Sequence, residues 1–210
     1  VAGGGSDVGV GLRAYEDPLD RATGRVDRVV AAGRGNRGEL ARMFDAEYLP
    51  LEPNGGRLKQ LTVIEAKNWK RDQLFDDTGL TWVMPSPNMP TPDTAVLYPG
   101  LCLFEATNMS EGRGTTRPFE LIGAPYVDYK WAQALQTKDI PGVAFREAYF
   151  TPTISKNANM LCGGVQVQIT DPHRVEAITA ATHMIVEARK LYPAFTWRAE
   201  TPPGRWIDLL

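Results

Sequence analysis

Apolar and polar positions follow one another in two different ways along this chain, and the change comes near residue 38. Residues 1–37 hold no helical period over three turns, and glycines at 24, 33 and 35 would interrupt one. From residue 38 onward, apolar positions recur at helical or strand spacing between loops that contain Pro or Gly. We therefore predict a divergent or poorly ordered leader over residues 1–37 and a domain over residues 38–210.

The pattern after residue 38 predicts four helices. Apolar residues at positions 40, 43, 44 and 48 predict a helix over residues 39–48, which Pro50 ends. Further helical segments are predicted at 94–98, 128–135 and 175–192. The last of these has an apolar face at positions 175, 178, 181, 185, 188 and 191, and Pro172 opens it.

Strand spacing alternates with these helices. Residues 58–66, 101–106, 143–150 and 165–170 are each predicted to form a strand. The first has apolar residues on both faces, so we expect it at the centre of a sheet. The prolines of residues 84–92 predict a rigid loop, and residues 107–117 predict an irregular one. The fold class that follows is α/β or α+β.

Composition excludes several classes of function. Of the 210 residues, 43% are hydrophobic and 23% are charged, with a formal net charge of −2, which is ordinary for a globular domain. Such a surface offers no general attraction to phosphate, so we expect no nucleic-acid partner. No apolar run approaches the roughly 20 residues that span a bilayer, so we expect no membrane span. The first residues lack the order of charges and apolar residues of a signal peptide, and the sequence leaves the localisation open.

Well-known catalytic and cofactor motifs do not occur in the sequence. It has no P-loop, no G-x-S-x-G and no H-E-x-x-H. Cys102 and Cys162 lie in apolar settings and are expected to be buried thiols, while His173 and His183 are expected to face solvent. We therefore expect neither a bound metal nor a cofactor.

Polar residues concentrate between Pro85 and Glu120. Carboxylates, amides and guanidinium groups together suit a sugar, because each sugar hydroxyl uses both a donor and an acceptor. The alternative is that two arginines pair with two glutamates and hold the loop together. The residues concerned are Ser86, Asn88, Glu105, Thr107, Asn108, Ser110, Glu111, Arg113, Thr115, Arg117 and Glu120.

A series of short segments in this region resembles one family in the same order. They are 38–44 (GELARMF), 69–72 (WKRD), 76–83 (DDTGLTWV), 85–90 (PSPNMP), 98–100 (YPG), 105–115 (EATNMSEGRGT), 118–120 (PFE), 141–143 (PGV), 162–166 (CGGVQ) and 206–210 (WIDLL). Together they resemble the exo-β-N-acetylmuramidase family of the NamZ type, over about residues 38–210.

The resemblance implies a glycoside hydrolase that releases N-acetylmuramic acid from the non-reducing ends of peptidoglycan fragments. It also implies a Rossmann-like half followed by a smaller α+β half, and we expect this chain to hold the C-terminal portion only. The Gly-Pro-Glu-His-Gly type motif, whose glutamate is the favoured acid of the family, is absent here. We therefore expect a truncated member with little activity alone. The alternative is a non-catalytic module that binds amino sugars or a partner; the family usually acts outside the cytoplasm.

The resemblance and the chemistry of the loop suggest roles for individual residues. Glu105 and Glu120 are the catalytic candidates. Glu105 is expected at the end of a strand, facing a cleft, whereas Glu120 could instead anchor the loop. Arg113 or Arg117 is expected to pair with the lactyl carboxylate of the sugar. The remaining substrate-binding candidates are Ser86, Asn88, Thr107, Asn108, Ser110, Glu111 and Thr115, of which the two asparagines could instead stabilise turns.

Overall fold

The structure, a computed structural model, describes residues 12–14, 28–32, 36–51, 56–64, 67–68, 70 and 72–198. The chain forms two compact units, residues 1–80 and residues 81–210. Each unit combines a three-stranded sheet with helices. The mixed α and β class expected from the sequence is confirmed as α+β.

The sheet of the first unit has the strand order β1-β2-β3. Strand β1 (Leu12–Ala14) pairs antiparallel with β2 (Arg28–Ala32), and β2 pairs parallel with β3 (Gln60–Ile64). The expectation that residues 58–66 form a central strand is not met among the described residues, where β3 lies at the edge of the sheet. Its last residue, Ile64, is 58% exposed, so apolar residues on both faces of this strand do not mean burial on both faces.

Helix α1 (Asn36–Met43) continues as a wide π-helical turn (Phe44–Tyr48) and a 3₁₀ turn (Leu49–Leu51). The helix predicted at 39–48 is thus confirmed, but its apolar spacing does not mark the buried side. Met43, Phe44 and Tyr48 are exposed, whereas Asp45 is buried. Asp45 accepts hydrogen bonds from Arg57 Nη2 at 2.9 Å and from the Leu58 backbone at 2.6 Å, which satisfies its carboxylate.

The second unit begins with the proline-rich loop. Trp82 Nε1 donates a hydrogen bond to Pro90 O (2.9 Å), which closes this loop on itself. Helix α2 (Pro92–Leu101) follows, and Thr91 caps it by accepting from Thr94 N at 3.2 Å. The helical segment expected at 94–98 is therefore confirmed and is longer than its apolar spacing indicates.

Residues 102–106 correct the sequence prediction. The strand expected at 101–106 is a 3₁₀ helix (Cys102–Ala106) that continues directly from α2. Leu101, Phe104 and Thr107 are fully buried, whereas Glu105 is partly exposed. These buried residues recur every three positions, as in a 3₁₀ helix, rather than every two, as in a strand. A run of six mostly apolar residues fits either structure, and the preceding helix decides between them here.

Three strands form the sheet of the second unit, in the order β4-β6-β5 and all antiparallel. Strands β5 (Val143–Phe150) and β6 (Cys162–Ile169) confirm the strands predicted for those segments, and β4 (Leu121–Ala124) was not predicted. Gly164 is required in β6 because a Cβ there would overlap with the carbonyl oxygen of Ile122.

Helices cover one face of this sheet and form the core with it. Helix α3 (Tyr129–Gln136), capped by Asp128, buries Trp131, whose Nε1 donates to Met184 O at 3.1 Å in α4 (Ala177–Leu191). The helix predicted at 175–192 is confirmed, but its buried side is shifted: Ile178 is 62% exposed, while Met184 is fully buried. Residues 172–174 form a 3₁₀ turn, and α4 starts only at Ala177. No helix among the described residues is long and apolar enough to cross a bilayer.

Candidate functional site

A network of acidic and basic side chains in alternation stabilises the polar loop between α2 and β4. Arg113 lies at its centre: its Nη2 donates to Glu105 Oε1 at 2.5 Å and its Nε donates to Glu111 Oε1 at 3.0 Å. The second oxygen of Glu111 lies 2.8 Å from Lys156 Nζ. Glu111 is buried, whereas the side chains of Glu105 and Arg113 are 31% and 29% exposed. The network therefore leads from a buried carboxylate to a pair that ligands can reach.

The electrostatics of the network follow from burial and from these contacts. Burial opposes the charge of Arg113, but hydrogen bonds and charges from Glu105 and Glu111 hold its pKa above the usual value. Burial also lowers the pKa of Lys156, and the nearby Glu111 charge partly offsets this effect. Burial and the Glu105 charge raise the pKa values of Tyr98 and Cys102.

The aromatic ring of Phe119 packs against the guanidinium group of Arg113. The guanidinium carbon lies 4.9 Å from the centre of the Phe119 ring, within the range of a cation–π contact. Phe119 has a φ of 61°, which is a strained backbone conformation for a bulky residue. Its backbone N–H donates to Glu111 O at 2.7 Å, so the same residue stabilises two members of the network.

Lys156 comes from a loop that the sequence analysis did not single out. Its ammonium donates to the carbonyl oxygens of Phe104 (2.6 Å) and Thr107 (3.0 Å), which fastens residues 151–161 to the polar loop. Ser155, Asn157 and Asn159 in this loop all have positive φ. Asparagine tolerates this conformation better than most residues, so the asparagines at 157 and 159 were the signal available in the sequence.

A cavity of about 520 Å³ adjoins this network. Asn108, Lys156, Trp197 and Arg198 are among the residues that line it. Trp197 and Arg198 reach the polar loop because residues 106–108 pair with residues 196–198 in strand-like fashion, with Thr107 opposite Trp197. Arg198 Nη1 lies 3.5 Å from Glu105 O. Sequence reasoning considered Trp197 as one of five tryptophans that could stack on a sugar, but it did not connect Trp197 or Arg198 to the loop, since about 90 positions separate them from it.

Glu120 occupies a different environment from Glu105. Its side chain is 4% exposed and accepts hydrogen bonds from Thr94 Oγ1 at 2.8 Å and from Thr91 Oγ1 at 3.3 Å. Arg117 Nη1 lies 3.2 Å from its other oxygen. These contacts tie the start of α2 to β4. The two arginine–glutamate pairs considered for holding the loop together, Arg113–Glu111 and Arg117–Glu120, both form.

The side chain of Asn108 makes three hydrogen bonds within the protein. Its Nδ2 donates to Ala194 O at 2.8 Å, and its Oδ1 accepts from Tyr126 Oη at 2.7 Å and from Thr196 N at 3.2 Å. This side chain lines the cavity but uses its polar atoms to position residues 194–196. Its role in holding the backbone is therefore established, whereas a contact with a ligand stays a prediction.

The hydroxyl groups of the predicted substrate-binding residues stabilise turns. Thr107 Oγ1 accepts from Met109 N, Ser110 Oγ accepts from Gly112 N, Thr115 Oγ1 accepts from Arg117 N, and Ser86 Oγ accepts from Asn88 N, all at 3.1–3.2 Å. Such contacts are typical of Ser and Thr in turns. Ser86 and Asn88 lie in the proline-rich loop, and no hydrogen bond within the described part of the chain joins their side chains to the charged network.

A second cavity, of about 540 Å³, lies on the sheet of this unit. Arg117 and Thr116 of the polar loop line it together with Arg146, Tyr149 and Gln166. Two arginines were predicted as possible partners of the lactyl carboxylate. Arg113 belongs to the charged network, whereas Arg117 lines this second cavity.

The described part of the chain has no group of three His, Cys, Asp or Glu residues that could hold a metal ion. Cys102 and Cys162 are free thiols, and Cys162 is buried while Cys102 is partly so. His173 and His183 are exposed.

Comparison with protein families matches both parts of the chain. The model of the C-terminal domain of the exo-beta-N-acetylmuramidase NamZ matches residues 96–210, and the model of its N-terminal domain matches residues 19–93. The chain belongs to the NamZ exo-β-N-acetylmuramidase family. The likeness is wider than the C-terminal portion that we expected, because it reaches back to residue 19.

A curated member of the NamZ family supports this assignment. The peptidoglycan beta-N-acetylmuramidase NamZ of Bacillus subtilis (strain 168) is 46% identical over 157 residues, which cover 74% of this chain and 36% of that protein. The chain thus spans little more than a third of the length of this relative. The homology supports a member of a peptidoglycan-directed glycoside hydrolase family.

Two crystal structures of DUF1343 family proteins from Bacteroides fragilis NCTC 9343 resemble the NamZ-family fold described above. One has a TM-score of 0.65 at 32% identity and the other a TM-score of 0.52 at 27% identity. Each match covers 75% of this chain and 40% of the other chain.

Proposed function

We propose that this chain binds the terminal N-acetylmuramic acid of peptidoglycan fragments at the Glu105–Arg113 pair and in the adjoining cavity. The observation that carries the proposal is the partly exposed ion pair of these two side chains, backed by the buried Glu111. Membership of the NamZ family supports the substrate class, since the Bacillus subtilis relative is named a peptidoglycan beta-N-acetylmuramidase.

Arg113 is the partner that we propose for the lactyl carboxylate of the sugar. A guanidinium can bind a carboxylate in a two-point fork, whereas Arg113 contacts the carboxylate of Glu105 through Nη2 alone. The ligand's carboxylate would replace Glu105 on Nη2 while Glu111 keeps Nε in place. This exchange releases the Glu105 carboxyl group toward the sugar, where a glycosidase needs a carboxyl group near the glycosidic oxygen.

Trp197 and Lys156 complete the proposed site. Trp197 is half-buried at the cavity wall, with its ring edge-on to Phe195 at 5.4 Å, and offers an aromatic surface to the sugar ring. Lys156 contributes positive charge close to Glu111. An anionic sugar is therefore favoured over a neutral one.

The finer proposal is that this chain alone binds the sugar but hydrolyses it slowly or not at all. Both carboxylates that were candidates for catalysis are engaged: Glu105 by Arg113, and Glu120 by two threonine hydroxyls and Arg117. The same observation favours the second candidate function, a module that binds amino sugars without catalysis.

Calorimetric titration with N-acetylmuramic acid and with N-acetylglucosamine tests the binding. We expect tighter binding of the first, because only that sugar carries the lactyl carboxylate. Arg113→Lys should weaken it about tenfold, since the fork is lost, and the exposed Arg189→Lys should leave it unchanged. Glu105→Gln should strengthen binding, because Glu105 competes with the ligand for Arg113.

Turnover of a chromogenic β-N-acetylmuramide separates the two functions. Slow release of the chromophore that Glu105→Gln abolishes, with the exposed Glu176→Gln as control, supports the hydrolase. Binding without any turnover supports the module. Equal affinity for both sugars, or no effect of Arg113→Lys, contradicts the proposed site.

A further inference from the structure

We propose that the cavity lined by Arg117 and Arg146 is a second binding site, and that it takes a small ligand carrying a carboxylate. We call it the sheet cavity. It is separate from the site at Glu105, and none of the short sequence segments that resemble the family includes Arg146, Tyr149 or Glu147.

The floor of the sheet cavity is a row of side chains on one face of the sheet. Gln166 of β6 lies directly opposite Leu121 of β4 on one side and Arg146 of β5 on the other. Residues directly opposite each other in antiparallel strands project to the same face. These three side chains are therefore neighbours across the whole width of the sheet.

The next row on this face has almost no side chains. It consists of Gly123, Gly164 and Ala148, which are again opposite one another. A Cβ at either glycine would overlap with the backbone of the neighbouring strand, so the glycines are required by the sheet. Of this row, Ala148 lines the sheet cavity. Its small side chain leaves a depression beside Gln166 and Arg146, and the cavity of about 540 Å³ has the size of a small-molecule site.

Two guanidinium groups face this depression, and each is anchored by one nitrogen. Arg146 Nη2 donates to Gln166 Oε1 at 2.6 Å, and Arg117 Nη1 donates to the buried Glu120 at 3.2 Å. A guanidinium has five N–H donors in a fixed fork, so most donors of both groups remain for a ligand. Because the partner of Arg146 is neutral, its charge is not compensated by that contact.

The fixed orientation of these groups favours a planar anion. A carboxylate can accept two parallel hydrogen bonds from one guanidinium, and this geometry is the strongest that arginine offers. Tyr149, which is 58% exposed, borders the cavity and donates from its hydroxyl to Glu147 at 2.8 Å. Glu147 adds one negative charge to the wall, so it should weaken carboxylate binding rather than support it.

Two kinds of ligand supply this carboxylate, and NMR titration of the full chain distinguishes them. One pair of probes is N-acetylmuramic acid and N-acetylglucosamine, which differ in the carboxylate of a sugar. The other pair is N-acetyl-alanyl-alanine and its C-terminal amide, which differ in the carboxylate of a peptide. The signals to follow are the side-chain amide of Gln166 and the backbone amides of Leu121 and Arg146.

We expect at least one carboxylate probe, but not its neutral counterpart, to shift these signals with saturation. Arg146→Gln should weaken that binding about tenfold or more, since a hydrogen bond to a charged group contributes on the order of a decade in affinity. Glu147→Gln should strengthen it, and the exposed Arg189→Gln should leave it unchanged. Arg113→Lys should not alter these signals, which separates this site from the one at Glu105.

The inference is overturned if neither carboxylate probe shifts these signals at millimolar concentration, or if the neutral counterpart shifts them equally. It is also overturned if Arg146→Gln leaves the affinity unchanged. Any of these results would leave the binding proposed at Glu105 unaffected, because that binding depends on Arg113.

Discussion

Glu105 and Glu120 carry the same side chain and lie 15 positions apart in one polar segment, yet their surroundings differ. Glu105 is partly exposed and contacts Nη2 of Arg113, whereas Glu120 is buried among two threonine hydroxyls and Arg117. The first environment suits a group that meets a ligand. The second suits a group that connects two elements, here the start of α2 and the strand β4.

The stability of two matched variants should show this difference. Glu120→Gln removes the charge that Arg117 and the hydroxyls bind, and we expect it to cost on the order of 1–3 kcal/mol of unfolding free energy. Glu105→Gln breaks a partly exposed pair and should cost less than about 1 kcal/mol. Urea unfolding of both variants measures this. A Glu120→Gln protein with unchanged stability but lost sugar binding would show that Glu120 faces the ligand instead.

Residue types in the polar segment predict a ligand-binding surface, but they do not divide the residues between binding and support. Asn108 and Thr107 satisfy the backbone and Arg113 remains accessible, although all three belong to the same motif. Which polar atoms remain accessible depends on partners far along the chain, such as Tyr126 and Lys156. Local sequence does not contain those partners.

Helices and strands were predicted best where the apolar spacing continues into the core. Strands β5 and β6 and helix α3 overlap the segments that their spacing predicts, and Phe145, Val165 and Trp131 on their apolar sides are buried in the core. The strand expected at 101–106 failed because a short apolar run is compatible with either structure. Here Leu101 ends α2, and continuing as a 3₁₀ helix buries Phe104 against Trp131, at 6.2 Å between ring centres.

Helix α4 offers a direct test of which side is buried. Met184→Ala should cost about 2–5 kcal/mol, as expected for a large side chain removed from a packed core. Ile178→Ala, on the same helix, should change stability by no more than about 0.5 kcal/mol because the side chain is exposed. Urea unfolding compares the two. The apolar spacing alone predicts the opposite order, so a larger cost at Ile178 would show that the spacing was right.

The second unit as a whole should lose stability in alkali. Burial raises the pKa of Tyr126 and of Tyr192 to about 12, and that of Cys162 to about 11, each above its ordinary value. The folded state thus favours the neutral forms. Their contribution is complete below the pKa values of the unfolded chain and is lost as pH rises through the folded values, between about pH 9 and about pH 12.

Urea midpoints measured across that pH range test this expectation. Tyr126→Phe should make the decline less steep, because one of the groups no longer ionises. Tyr129→Phe is the matched control, since the side chain of Tyr129 is exposed. A midpoint that stays constant up to the end of the range would contradict the burial of these phenols.

At the scale of the whole molecule, the sequence by itself determined the family, a mixed α and β class and the segment that carries the polar chemistry. These depend on local spacing and on short motifs, which a linear reading contains. Only the tertiary structure brought Lys156, Trp197 and Arg198 to the polar loop and placed Arg117 and Arg146 at one cavity. The physical reason is that burial and charge pairing depend on contacts such as those between residues 26, 52 and 93 positions apart. Those contacts decide which carboxylate is a support and which can meet a ligand.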